Sequence, residues 1–142
     1  MKERLLVPLA GTAESESILT HLPRRARVGC TVTLLRVELP VVVDQFIVLT
    51  DPALEHARAY LDDVKRRLRL PARIETIAQI GPPTETILQM AEEIGATQIL
   101  LTSGRRGMLA RWLFGSVVQQ VVRRSTVPVL VIPAAEARRA AV

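Results

Sequence analysis

Short apolar runs alternate along this chain with segments whose apolar residues return every three or four positions. Arg4 to Leu9 is such a run, closed by Gly11, after which Ile18, Leu19 and Leu22 recur at helical spacing. Thr31 to Val37 is a second, β-branched run, and Leu54, Ala57, Leu61, Val64 and Leu68 fall on one face of a helix beginning near Pro52. Arg73 to Ile80 predicts a third strand, broken by Gly81-Pro82-Pro83. Thr84 is placed to cap a helix with the stripe Ile87, Leu88, Ala91 and Ile94, ended by Gly95. Gln98 to Thr102 predicts a fourth strand, Ser116 to Arg124 a helix with Val117, Val118, Val121 and Val122 inward, and Val127 to Ile132 a fifth strand. Strict alternation predicts one α/β domain: an open, mostly parallel five-stranded sheet with helices on both faces, Rossmann-like in class. No repeat, low-complexity tract or interdomain linker interrupts residues 1–133, and Ala134 to Val142 reads as a loose tail.

Composition sharpens this picture. Of 142 residues, 49% are hydrophobic but only 3% aromatic, so the core is built from Val, Leu, Ile and Ala. The single cysteine, Cys30, has no internal disulfide partner and reads as a small core residue; no Cys/His cluster offers zinc ligands. His21 and His56 read as surface or boundary residues. The first ten residues are too short for a secretory leader and nothing approaches membrane-spanning length, so a cytoplasmic protein without a membrane partner is expected. Net charge is +5, and lysine contributes only Lys2 and Lys65. The arginines lie mostly in scattered pairs, as on solvated helix faces, and stacking aromatics are scarce, which argues against a nucleic-acid partner.

Candidate chemistry concentrates between Thr102 and Ile132. There a glycine-punctuated basic loop precedes a Gly115-Ser116 step and a helix start, an order that suits phosphate: glycines admit backbone N–H groups close to an anion, and the helix aims its free N–H groups at the same place. In an open sheet of this class ligands bind beyond the carboxyl ends of the strands, where the strand order reverses. Three segments converge there: Ala10-Gly11-Thr12, the apolar stretch LPVVVDQFIVL after the second strand, and Ser103 to Gly115. The apolar stretch either covers a pocket or partner, or folds onto its own core. Trp112, Leu113 and Phe114 either pack the approach to the last helix or meet a partner.

These residues resemble the universal stress protein family along essentially the whole chain. LLVPLAGTAESESIL is similar to that family's first strand and turn, VTLLRV to its second strand, IGPPTETILQMAEEIGATQILL to its middle section and GSVVQQVVRRSTVPVLVIP to its close. The resemblance implies an adenine-nucleotide α-hydrolase-like fold, and binding of ATP, with Mg²⁺, in those members that share a GxxG, nine-residue spacer, Gly-Ser/Thr loop. Here Gly115-Ser116 fits the last step, but seven residues separate Gly107 from Gly115, and ten if Gly104 is the second glycine with Leu101 as the first. Counting back without gaps places Thr102 and Arg105 at the glycine positions instead.

Carried over residue by residue, the resemblance makes Leu9, Ala10, Gly11, Val37, Thr102, Gly104, Arg105, Arg106, Gly107, Gly115, Ser116 and Val117 the candidate nucleotide contacts. Ala10 stands where binding members carry an acid, a lost acceptor worth about 1 to 3 kcal/mol if its donor stays buried. Val37 matches a residue whose backbone lies against adenine. Arg105, Arg106 and Arg111 either offset the poorer cradle by charge-assisted hydrogen bonds or stand solvated on the loop. The expected function is a non-catalytic regulatory or binding protein of the stress response. The alternatives are a dimeric interaction protein that binds no ATP, a slow ATPase for which only Asp44 offers an acid in the apolar segment, and a nucleic-acid binder. The strand Val127 to Ile132 predicts an exposed sheet edge, and the resemblance implies a homodimer paired there.

Overall fold

The computed structural model describes residues 2–12, 15–48, 51–103 and 116–133. Strands β1 (Arg4–Pro8), β2 (Thr31–Glu38), β5 (Arg73–Ile80), β6 (Gln98–Ser103) and β7 (Val129–Pro133) form one sheet in the order β5-β2-β1-β6-β7. All four neighbouring pairs are parallel, with Leu5 opposite Val32, Leu6 opposite Ile99, Val32 opposite Ile74 and Leu101 opposite Val131. A separate antiparallel hairpin joins β3 (Val41–Val43) to β4 (Phe46–Val48). A 3-10 helix (Ser15–His21) runs into α1 (Leu22–Arg25); α2 (Asp51–Arg67), α3 (Pro83–Glu93) and α4 (Ser116–Arg124) complete the layers.

The period-two alternation of β1 distributes its side chains to two cores. Leu5, Val7 and Leu9 join Ile18, Leu22, Leu34, Leu61 and Val64 on the face covered by the 3-10 helix, α1 and α2. Leu6 joins Leu35, Val37, Ile87, Met90, Leu101 and Val121 on the face covered by α3 and α4. Both faces of the central strands are therefore dry, which is why their sequences read as continuous apolar runs. Buried Cys30 belongs to the first core, and burial pushes its thiol above the usual range. No helix among the described residues is long and apolar enough to cross a membrane.

Several sequence expectations are corrected in detail. The segment with Ile18 and Leu19 is a 3-10 helix, because Thr12 and Ser15 close a tight reciprocal turn at its start and Pro23 opens the single α-turn that follows. The apolar stretch after β2 is a hairpin, turned at Asp44 and Gln45, whose φ angles of 47° and 70° place two non-glycine residues in the left-handed region that a two-residue hairpin turn demands. Val42, Val43 and Phe46 are exposed on it. Thr84 does not cap α3. Pro82 is the extended residue before the helix and Pro83 its first residue, so Thr84 is buried inside the first turn. Val122 lies 50% exposed, because the inward face of α4 is taken by Val117, Val118 and Val121. The last strand starts at Val129, with Pro128 preceding it.

Candidate functional site

From β1 the chain moves outward to β2 and β5, then crosses back to β6 and on to β7, so the strand order reverses between β1 and β6. The connection leaving β1 covers one face and the connection leaving β6 covers the other, which opens a crevice outside the carboxyl ends of these two strands. Leu9, Ala10, Gly11, Thr102 and Ser116 all reach this end of the sheet: the first three leave β1, Thr102 is near the end of β6, and α4 must begin there to return the chain to parallel β7.

The candidate residues divide between the two faces. The methyl of Ala10 packs on the same core as Val37, Val117 and Val118, so these elements meet on the α3/α4 side. Leu9 points to the opposite core, its N–H donating to the Leu35 carbonyl at 2.8 Å. Thr102 is buried, and its hydroxyl donates to the Ser15 carbonyl at 3.4 Å, tying the end of β6 to the start of the 3-10 helix. Ser15 in turn shares three hydrogen bonds with Thr12, two between its hydroxyl and the Thr12 backbone and one from its N–H to the Thr12 hydroxyl. Ser116 is exposed at the head of α4, whose first turn carries no acidic residue, so its positive dipole end is not neutralised from within the helix. Gly104, Arg105, Arg106, Gly107, Arg111 and Gly115 lie outside the described residues, as do Trp112, Leu113 and Phe114 and the tail from Ala134.

One residue at the crevice carries no motif signal. Arg36, the charged position in the otherwise apolar VTLLRV strand, extends its guanidinium over Gly11: a Cβ built at Gly11 would stand 3.3 Å from the Arg36 Nε. Gly11 has φ of 80°, so the chain turns away from β1 in a conformation that suits glycine. The guanidinium donates to the Val37 carbonyl at 2.8 Å and pairs with the Glu38 carboxylate at 3.3 Å. The rim is thus built from a glycine turn, a methyl, a cation held in place by two oxygens, and a helix N-terminus. That combination offers donors and positive charge, and among the described residues its one carboxylate, Glu38, pairs with Arg36. No group of three or more His, Cys, Asp or Glu side chains able to hold a metal is found among the described residues.

The profile of the universal stress protein family matches residues 1–133. The chain belongs to the universal stress protein family. It is 32% identical over 79 residues to universal stress protein MJ0577 of Methanocaldococcus jannaschii, a match covering 55% of this chain and 49% of that protein, so that the aligned part spans about half the length of this relative. The solved structure of MJ0577 superposes with a TM-score of 0.70 at 23% identity, covering 92% of this chain and 95% of that one. A universal stress protein crystallised with cAMP superposes at 0.63, with 20% identity and coverage of 93% and 97%. A universal stress protein family protein from Arabidopsis thaliana with AMP bound superposes at 0.64, with 13% identity and coverage of 92% and 91%. These likenesses establish the α/β fold with its five-stranded parallel sheet.

Proposed function

We propose that this chain is a non-catalytic regulatory protein that binds an adenine nucleotide, ATP with Mg²⁺, in the crevice between β1 and β6, and acts as a homodimer paired through β7. The observation that carries the reading is the convergence, at the one reversal of strand order, of the Ala10-Gly11 turn and an α4 N-terminus free of acidic residues. Two structural relatives whose structures contain cAMP and AMP support adenine nucleotide as the ligand class. Backbone N–H groups at Ser116 and Val117 would hold phosphate, Gly11 would let the chain approach it, and Val37 and Ala10 would border the base or sugar. Mg²⁺ would add charge neutralisation to the phosphates.

Two features argue for weak binding and favour a second reading, a homodimeric interaction protein that binds no nucleotide. Ala10 supplies no acceptor, and Arg36 already occupies the Val37 carbonyl. The dimer reading rests on β7, which lies at the sheet edge, paired on one side only, with Val129, Leu130 and Val131 half-buried.

Calorimetric titration of the protein, freed of small molecules, with Mg-ATP and with AMP separates the two readings. Saturable binding is expected, strengthened about ten-fold by Ala10→Asp, which returns the missing acceptor. No heat from either the parent or the Ala10→Asp protein would overturn the nucleotide reading in favour of the interaction protein.

A further inference from the structure

A second recess lies along the β7 edge of the sheet, beside α1. A cavity of about 520 Å³ opens beside the amino ends of β1 and β6 and the edge strand β7, under α1, with Leu5, Leu130 and Ile132 among its walls. Its volume falls in the range of small-molecule sites, roughly 300 to 1,000 Å³. Arg24, Arg25 and Arg27 line it, against one acidic residue, Glu3.

The state of those charges is informative. Ion pairs among the described residues engage Arg36, Arg66, Arg67, Arg73 and Arg124, and none includes Arg24, Arg25 or Arg27. A place near the carboxyl end of α1 accounts for Arg24 and Arg25 through the helix dipole, but not for Arg27, which lies beyond the helix. His21 lines the same cavity, and its Nε2, screened from solvent, is the one buried side-chain nitrogen or oxygen among the described residues without a hydrogen-bond partner. Three cations without an ion-pair partner among the described residues, set against one acidic residue around an open recess, give it the positive balance that an anion can neutralise.

We infer that this recess is a binding site for a small multivalent anion, a phosphate ester or a polycarboxylate, held by the guanidiniums of Arg24, Arg25 and Arg27. Planar guanidinium forks suit both anion types, and the aliphatic walls limit the ligand to one that fits the cavity. The site stands beside α1 and the edge strand and shares no lining residue with the nucleotide crevice, so the two readings are independent. Its wall includes β7, which places an anion beside the edge proposed for dimer pairing.

Backbone amide NMR of the full-length protein, titrated separately with pyrophosphate and with citrate, tests this. Saturable shifts at His21, Leu130 and Ile132 are expected, with affinity about five- to ten-fold weaker in the Arg24→Gln/Arg27→Gln double variant. Tighter pyrophosphate binding assigns the phosphate class and tighter citrate binding the polycarboxylate class. Both substituted arginines are exposed, so the double variant keeps its unliganded melting temperature. Shifts confined to Gly11 and Ser116, a linear response without saturation, or unchanged affinity in the double variant would each overturn the site. Failure of ATP to bind at the crevice would leave these expectations unchanged.

Discussion

Gly11 and Gly29 form a matched pair for testing the crevice. Both have left-handed backbone, with φ of 80° and 88°, so an alanine at either pays the same conformational cost, about 1 to 2 kcal/mol. Loss of unfolded-chain freedom returns about 0.4 to 1 kcal/mol of that, leaving a net destabilisation near about 1 kcal/mol. The neighbourhoods differ. A Cβ at Gly29 meets nothing within 4 Å, whereas one at Gly11 stands 3.3 Å from the Arg36 Nε. That guanidinium is the far end of a flexible side chain and moves a few tenths of an ångström to relieve the contact, so stability hardly separates the two variants. Each is expected to melt about 3 to 4 °C below the parent by calorimetry. Nucleotide affinity does separate them. The added methyl and the displaced guanidinium stand at the mouth of the crevice, and Gly11→Ala is expected to weaken Mg-ATP at least about five-fold while Gly29→Ala leaves it unchanged. Equal affinity in both variants, or a larger loss in Gly29→Ala, would refute the placement of the site at Gly11.

Other substitutions probe packing, charge and assembly. A Cβ at Gly81 would lie 2.7 Å from the Thr86 Oγ1, so Gly81→Ala should cost about 1 to 3 kcal/mol, and adding Thr86→Ala should recover most of it in denaturant unfolding. Burial, then the Glu16 carboxylate that accepts its hydrogen bond at 2.9 Å, holds the Tyr60 hydroxyl above its ordinary titration near about pH 10. The unfolded chain releases that proton first, so this stabilisation is complete below about pH 10 and is lost as pH rises toward the folded-state value. Tyr60→Phe should therefore show a shallower alkaline loss of stability; a decline as steep as the parent's would contradict the assignment. Arg36→Met should free the Val37 carbonyl and tighten adenine nucleotide, whereas weaker binding would show that Arg36 itself holds the ligand. Sedimentation should give a two-chain mass that Val131→Lys reduces to one; a parent protein already monomeric would exclude pairing through β7.

Much of this architecture is legible in the chain because its strands are buried on both sides. A run such as TVTLLRV must be a central parallel strand, and the alternation of such runs with helical stripes leaves one fold class. The hairpin after β2 escapes because Asp44-Gln45 lacks the Asn or Gly that normally signals a two-residue turn, so VVV and FIV read as one apolar segment. The start of α3 escapes because two prolines displace the cap signal from Thr84. At the crevice, spacing locates Gly11 and Ser116, since both follow from where strands end. Arg36 is invisible to any spacing rule, because its meaning lies in a side chain crossing to Gly11, 25 positions earlier in the sequence. Likewise Arg24 and Arg25 read as one more arginine pair on a solvated helix face until the fold sets them, with Arg27, beside His21 and β7.

The central claim is that an adenine nucleotide binds between the carboxyl ends of β1 and β6. Amide NMR of the assigned full-length protein during titration with Mg-ATP tests it most directly. Saturable shifts are expected at Leu9, Ala10, Gly11, Val37, Ser116 and Val117. A spectrum in which these amides do not move while the protein stays folded would contradict it.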